Sequence, residues 1–225
     1  MRLHLYLEPV GSAPVPYDHL PALVGAFHGW LGHAPNAVHD GLSLYSLSWL
    51  SGGRSARGGL RFPEGARWHV SAHDETLIQR LVGGILRQPE LECGLRVVDA
   101  QFRLPPAFAS GTQRFVVGSP VFLKGDRPAP NRPVDHILWH DPRADALLTH
   151  IFHRKLEAAG LPTDGAAVAF DRKYPRARPK LATYKGIQSR ASLCPVLVTG
   201  NTQQLQLAWT CGVGHSTGIG FGSLA

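Results

Sequence analysis

Arg2-Leu-His-Leu-Tyr-Leu-Glu8 alternates apolar and polar residues without a break. Successive side chains of a strand point to opposite faces, so Leu3, Leu5 and Leu7 share one face and a half-buried strand is predicted. The period then changes. Leu20, Leu23, Val24, Phe27, Trp30 and Leu31 recur at helical spacing over 18–31, with Asp18 as a cap and Gly32 as a stop. Strand character returns over 42–50, where Tyr45, Leu47 and Trp49 face one way and Ser46 and Ser48 the other. Ser51-Gly-Gly-Arg54-Ser-Ala-Arg57-Gly-Gly59 reads as a loop, and Arg67–Ser71 as a strand. Asp74 caps a second helix whose Leu77, Ile78, Leu81, Val82, Ile85 and Leu86 form one stripe. Residues 92–104 close this half as a strand, bulged where the apolar phase slips near Val97 and Val98. The order β-α-β-β-α-β is the split motif of a ferredoxin-like domain.

Pro105-Pro106 and the small residues up to Gly111 read as a linker, dividing the chain into domains 1–104 and 112–225. The second half looks like a looser copy of the first. Residues 112–124 give a strand pair or one bent strand, and Asp141-Pro142 opens a helix carrying Ala144, Leu147, Leu148, Ile151, Phe152, Leu156 and Ala159. Strands are predicted at 166–171, 181–188 and 192–199, with a last short one at 219–224. Residues 202–210 fit either a strand or a short helix. The fold class is therefore α+β, two tandem ferredoxin-like domains.

Composition narrows the partners. The 225 residues carry a net charge of +7 with a pI near 9.7, and a basic chain of this size meets an anionic partner. Cys93, Cys194 and Cys211 make no C-x-x-C and no even disulfide framework, which fits a reducing cytoplasm. No apolar run approaches a membrane span and no signal h-region is evident, so a soluble cytoplasmic protein without membrane contact is expected.

The chain ends on Gly212-Val-Gly214-His-Ser-Thr-Gly218-Ile-Gly220-Phe-Gly222, five glycines in eleven positions. Such density is tolerated where the chain turns sharply or where something approaches bare backbone, and exposed amides suit a phosphate chain. A plain tight turn has the same composition. Neither Walker A nor a dinucleotide fingerprint fits, for want of a Lys and of a following βαβ unit. Gly214-His-Ser-Thr-Gly218 matches a nucleophile elbow, yet no acid or His follows Ser216.

Three stretches together resemble the CRISPR-associated endoribonuclease family that processes precursor CRISPR RNA, the sixth Cas family of the RAMP superfamily. They are the glycine loop, His39-Asp-Gly-Leu-Ser-Leu-Tyr45-Ser-Leu-Ser48 and Ser119-Pro-Val-Phe-Leu123. The loop is shared with RNA-binding relatives that do not cleave, so a non-catalytic RNA-binding subunit is the alternative. The resemblance implies metal-independent attack of an RNA 2′-OH on the adjacent phosphorus, leaving 2′,3′-cyclic phosphate and 5′-OH ends. It also implies a CRISPR repeat stem-loop as partner, with other effector-complex subunits and a second copy of the chain as further candidates, and no cofactor.

His39 is carried over as the catalytic residue, since an imidazole with an ordinary pKa near ~6.5 serves as acid or base. His28 and His33 compete for the second proton transfer. Tyr45 either orients the phosphate or packs in the core. Arg54 and Arg57 are candidate phosphate contacts. So are Arg172, Lys173, Arg176, Arg178, Lys180 and Lys185 in the run 171–190, whose seven cations face one acid. Gly212, Gly214, Gly218, Gly220 and Gly222 complete the expected RNA contacts. His136 with His140, and His150 with His153, have helical spacing but lack H-E-x-x-H, and no metal site is expected.

Overall fold

A computed structural model describes residues 1–32, 42–125 and 135–225. The first half runs β1 (Arg2–Pro9), α1 (Leu20–Leu31), β2 (Tyr45–Leu47), β3 (Arg54–Ala56), β4 (Gly59–Arg61), β5 (Ala66–Ala72), α2 (Glu75–Arg87), β6 (Glu90–Leu91) and β7 (Leu95–Arg103). Its sheet has the order β2-β5-β1-β7-β6. Removing the hairpin β3–β4 and the stub β6 leaves four strands with the first at the centre, between the third and the fourth. That is the ferredoxin-like order.

Leu3, Leu5 and Leu7 point from β1 at the two helices and are fully buried, each stabilising by roughly 1.5–3 kcal/mol. Leu23, Phe27 and Trp30 of α1 and Ile78, Leu81 and Ile85 of α2 meet them. The helices touch backbone to backbone at Gly84, where any Cβ would overlap Trp30. Asp74 caps α2 by accepting from the Thr76 amide. Leu86, placed on the stripe by spacing, is exposed. α1 starts at Leu20 rather than behind an Asp18 cap: its N-cap is His19, with a proline in the first turn. The β1–β7 register shifts between Tyr6 and Leu7, leaving Val98 as the extra residue of the expected bulge.

The second half contains β8 (Gly111–Phe115), α3 (Ala144–Ala158), β9 (Ala167–Phe170), β10 (Arg178–Tyr184), β11 (Ile187–Leu193), β12 (Val196–Gly200) and α4 (Thr202–Cys211), then one 3-10 turn (Thr217–Ile219). Its sheet is β8-β12-β9, extended beyond β8 by a bridge from Val117 to Leu224. The chain is thus an α+β protein of two tandem ferredoxin-like units.

Several local expectations change. Residues 202–210 are helical because Asn201 and Gln204 form a reciprocal capping box. Tyr184 and Ile187 close a hairpin through Lys185 and Gly186, both at positive φ, so one strand over 181–188 becomes two. The strand expected at 219–224 is a 3-10 turn and a single bridge. Segment 105–111 is held on α4, with Gln206 donating to Pro106 O and Thr202 to Phe108 O.

Candidate nucleic-acid interface

α4 ends at Gly212, and the chain folds back across Pro120–Leu123 before reaching Leu224. Inside this turn Val213 N–H donates to Gly222 O, His215 N–H to Phe122 O, Phe221 N–H to Ser216 O and Gly222 N–H to Pro120 O. The glycines have a packing reason. A Cβ on Gly222 would overlap Val213 O at a φ of +62°, and one on Gly218 would lie 2.6 Å from both Ser43 Oγ and Tyr45 Oη. Gly212, Gly214, Gly218, Gly220 and Gly222 are all buried against the chain's own atoms.

Lys155 of α3 locks the turn from below. Its buried Nζ donates to Cys211 O at 2.7 Å, Gly212 O at 3.2 Å and Thr217 Oγ1 at 3.0 Å. Thr217 Oγ1 in turn donates to Tyr45 O at 2.9 Å. Burial pushes the Lys155 ammonium down to about 8. Sequence reading passed over Lys155, yet it falls three residues after Phe152 and four after Ile151, inside the apolar stripe of α3. A cation there signals a buried partner set.

The turn docks on β2. Ser46 Oγ donates to Thr210 O, Trp49 Nε1 to Gly220 O and Ser119 Oγ to Leu47 O. Both faces of β2 are therefore buried, and Ser46 and Ser48 are not on a solvated face. Arg2 closes the same seam, with its guanidinium donating to Ser71 Oγ, Trp209 O and Leu224 O and stacked 3.7 Å from the Trp209 ring centroid. Beside it, His69 Nε2 lies 2.8 Å from Ser223 Oγ, and burial holds His69 well below the ordinary histidine range.

Tyr45 is buried and stacked on Phe27 at 5.0 Å, its hydroxyl beside Ser43; burial raises its pKa. His28, half-buried in the last turn of α1, meets Phe27 edge-on at 5.1 Å. Phe27 thus touches both His28 and Tyr45. His39 and His33 lie outside the described residues. His215, unremarked in sequence, accepts the Lys124 amide at Nδ1 and is driven down to about 4, first by burial and then by Lys124.

Arg54 and Arg57, expected in a loop, sit on the β3–β4 hairpin. A Val15–Leu60 bridge pins this hairpin to the segment before α1, at the opposite helix end from His28. Arg54 pairs with Glu64 at 3.3 Å, both exposed. The β10–β11 hairpin displays Arg178, Lys180 and Lys185, and Lys173 and Arg176 are exposed in the loop that leads to it. Arg172 is engaged by the fold, pairing with Asp145 and donating to Trp139 O and Asp141 O. Ala182 and Ala191 of the hairpin pack on Leu20, Phe122 and Phe221, fixing it against the glycine turn. His136 Nδ1 accepts from the Arg190 amide, and His153 Nε2 bonds Ala166 O. Among the described residues, no three His, Cys, Asp or Glu side chains cluster as metal ligands. No described helix is long and apolar enough to cross a membrane.

Solved structures share this fold from end to end. A Cas6-related protein of Pyrococcus furiosus superposes with a TM-score of 0.86 at 18% identity, covering 100% of this chain and 97% of that one. A structure described as a RAMP protein binding different RNA substrates gives 0.85 at 16%, covering 100% and 98%. Another, described as CRISPR associated protein Cas6, gives 0.82 at 20%, again covering 100% and 98%. No curated protein matches the chain by sequence. The family model for CRISPR associated protein Cas6, C-terminal, matches residues 103–225, more than half of the sequence. By that match, the chain belongs to the CRISPR-associated Cas6 family.

Proposed function

We propose that this protein is an endoribonuclease that cuts CRISPR repeat RNA without a metal ion. The reading is carried by one arrangement: a turn locked by Lys155 and Thr217 onto Tyr45 and Ser43, against Leu20 of α1 and under an exposed basic hairpin. Residues 1–104 supply the proton-transfer groups and 112–225 the grip on RNA. Only three residues separate His39 from Ser43, which touches the turn.

The RNA's 2′-oxygen attacks the neighbouring phosphorus, the bond to the 5′-oxygen breaks, and a 2′,3′-cyclic phosphate and a 5′-OH remain. His39 takes or gives one proton, and His28 serves the other transfer. Tyr45, being buried and stacked on Phe27, has a positioning role rather than transferring protons. Arg178, Lys180, Lys185, Lys173 and Arg176 hold phosphates of the RNA; Arg54 and Arg57 extend that contact along the other hairpin. The glycine turn contributes shape, since most of its amides already donate within the chain.

The test is incubation of the protein with repeat hairpin RNA in EDTA, followed by end-group analysis. Cleavage with cyclic phosphate ends is expected, and chelator-abolished cutting refutes the mechanism. His39→Ala should slow cleavage by roughly 10²–10⁴ with binding retained. An unchanged rate removes His39 from the site. Tight RNA binding with no cleavage by the wild type favours the non-catalytic subunit instead.

A further inference from the structure

The hairpins β3–β4 and β10–β11 flank a groove of about 380 Å³ at the N-terminal end of α1. Tyr17, His19, Trp49, Leu60, Lys180 and Thr183 line it. Its two aromatic rings are held in place. Trp49 Nε1 donates to Gly220 O at 2.7 Å, and the Tyr17 hydroxyl meets Ser55 Oγ and Ala56 O while the residue stays 57% exposed. Lys180 Nζ lies 5.7 Å from the Trp49 ring centroid. Asp18 is the one acid among the described lining residues. Fixed aromatic faces beneath a cation suit a base and its phosphate, because every base has a π-face to stack. The volume fits one nucleotide and no duplex.

We propose that this groove seats one unpaired nucleotide of a bound RNA strand, its base against the Trp49 indole and its phosphate at Lys180. The proposal rests on the RNA reading above and adds a contact to a base. The seat lies at the other end of α1 from His28: Leu20 and His28 are eight residues apart, about 12 Å along the helix. Through Gly220 O the seat is also fixed relative to the glycine turn.

Hairpin RNA with unpaired flanks, carrying 2-aminopurine at each unpaired position in turn, is titrated onto the full chain. Quenching is expected at one position. Trp49→Leu should abolish that quench and weaken flanked RNA by about 5- to 100-fold, leaving a blunt hairpin within about twofold. Trp49→Phe keeps a ring and loses the N–H, and should restore most of both. Absence of quenching at every position in the wild type overturns the proposal without requiring any variant to fold. Equal losses for Leu and Phe, or an equal loss on the blunt hairpin, also overturn it, because Trp49 then serves only to prop the turn. A wild-type protein that binds no hairpin RNA at low ionic strength removes the underlying reading as well.

Discussion

The two halves follow one plan and finish it differently. In the first, the fourth strand is β7, nine residues long and paired with β1 along its length. In the second, that strand has shrunk to the bridge between Val117 and Leu224, and the chain leading to it is the glycine turn. The residues released from the sheet dock on β2 of the first half and cover what was an open edge. A complete ferredoxin-like unit closes on itself; the incomplete one closes on its neighbour. The candidate site lies where this borrowed closure occurs, so site and seam stand or fall together.

The comparison breaks most visibly at glycine. Gly222 and Gly94 both have positive φ, at +62° and +79°. A Cβ on Gly222 overlaps Val213 O, whereas one on Gly94, in the β6–β7 turn, meets open space. Gly222→Ala is expected to cost about 3–5 kcal/mol by strain plus clash, and Gly94→Ala about 1 kcal/mol by strain alone. Urea denaturation measures both, and equal costs would show that the turn has room to relax. Arg2→Met comes next, at about 2–3 kcal/mol, because Trp209 O and Leu224 O lose a charged donor while the buried volume is kept. A loss below about 0.5 kcal/mol would mean that the seam is held without it.

The first half was legible because each element there decides its own state: the alternation of Leu3, Leu5 and Leu7 and the stripe from Leu20 to Leu31 both report a local period. The second half was less so, since its elements answer to distant partners. Thr210 offers its carbonyl to Ser46 of the first half, 164 residues away, and no local pattern announces that. The glycines of 212–222 signalled close approach correctly, but spacing cannot say whether the visitor is a phosphate or the protein's own Tyr45. Lys155 was hidden because a cation in an apolar stripe reads as an interruption until its carbonyl partners are seen. Trp49 was assigned to a strand face, whereas its N–H partner, Gly220 O, comes from the turn.

Acid should loosen the seam. Burial lowers His4 and His215 to about 4 and holds His69 well below its ordinary value. Each is neutral in the fold and takes a proton in the unfolded chain below about 6.5. The unfolded state therefore binds more protons, and stability falls as pH drops from about 6.5 towards 4. His4 and His215 are partly solvated, so screening trims their share. The melting temperature is expected to drop by more than about 3 °C between pH 7 and 5, and His4→Gln should flatten the slope. A flat profile would place these imidazoles in contact with water.

The smallest effect separates the two inserted hairpins. Arg57 tips β3–β4 and Lys185 tips β10–β11; both are exposed. Neither tip charge supports the fold, so Ala at either position should leave urea midpoints unchanged within error. Their RNA effects should differ. The β10–β11 hairpin packs on Phe221 and cannot swing away from the turn, so Lys185 is held over any RNA lying there. The β3–β4 hairpin is tied to the segment before α1 and meets the groove through Leu60, not through Arg57. Lys185→Ala should lower the slope of log affinity against log salt by about 0.7–0.9, one phosphate contact, while Arg57→Ala lowers it by less. Equal slopes would mean that the RNA spans both hairpins alike, and that the second half alone does not define the grip.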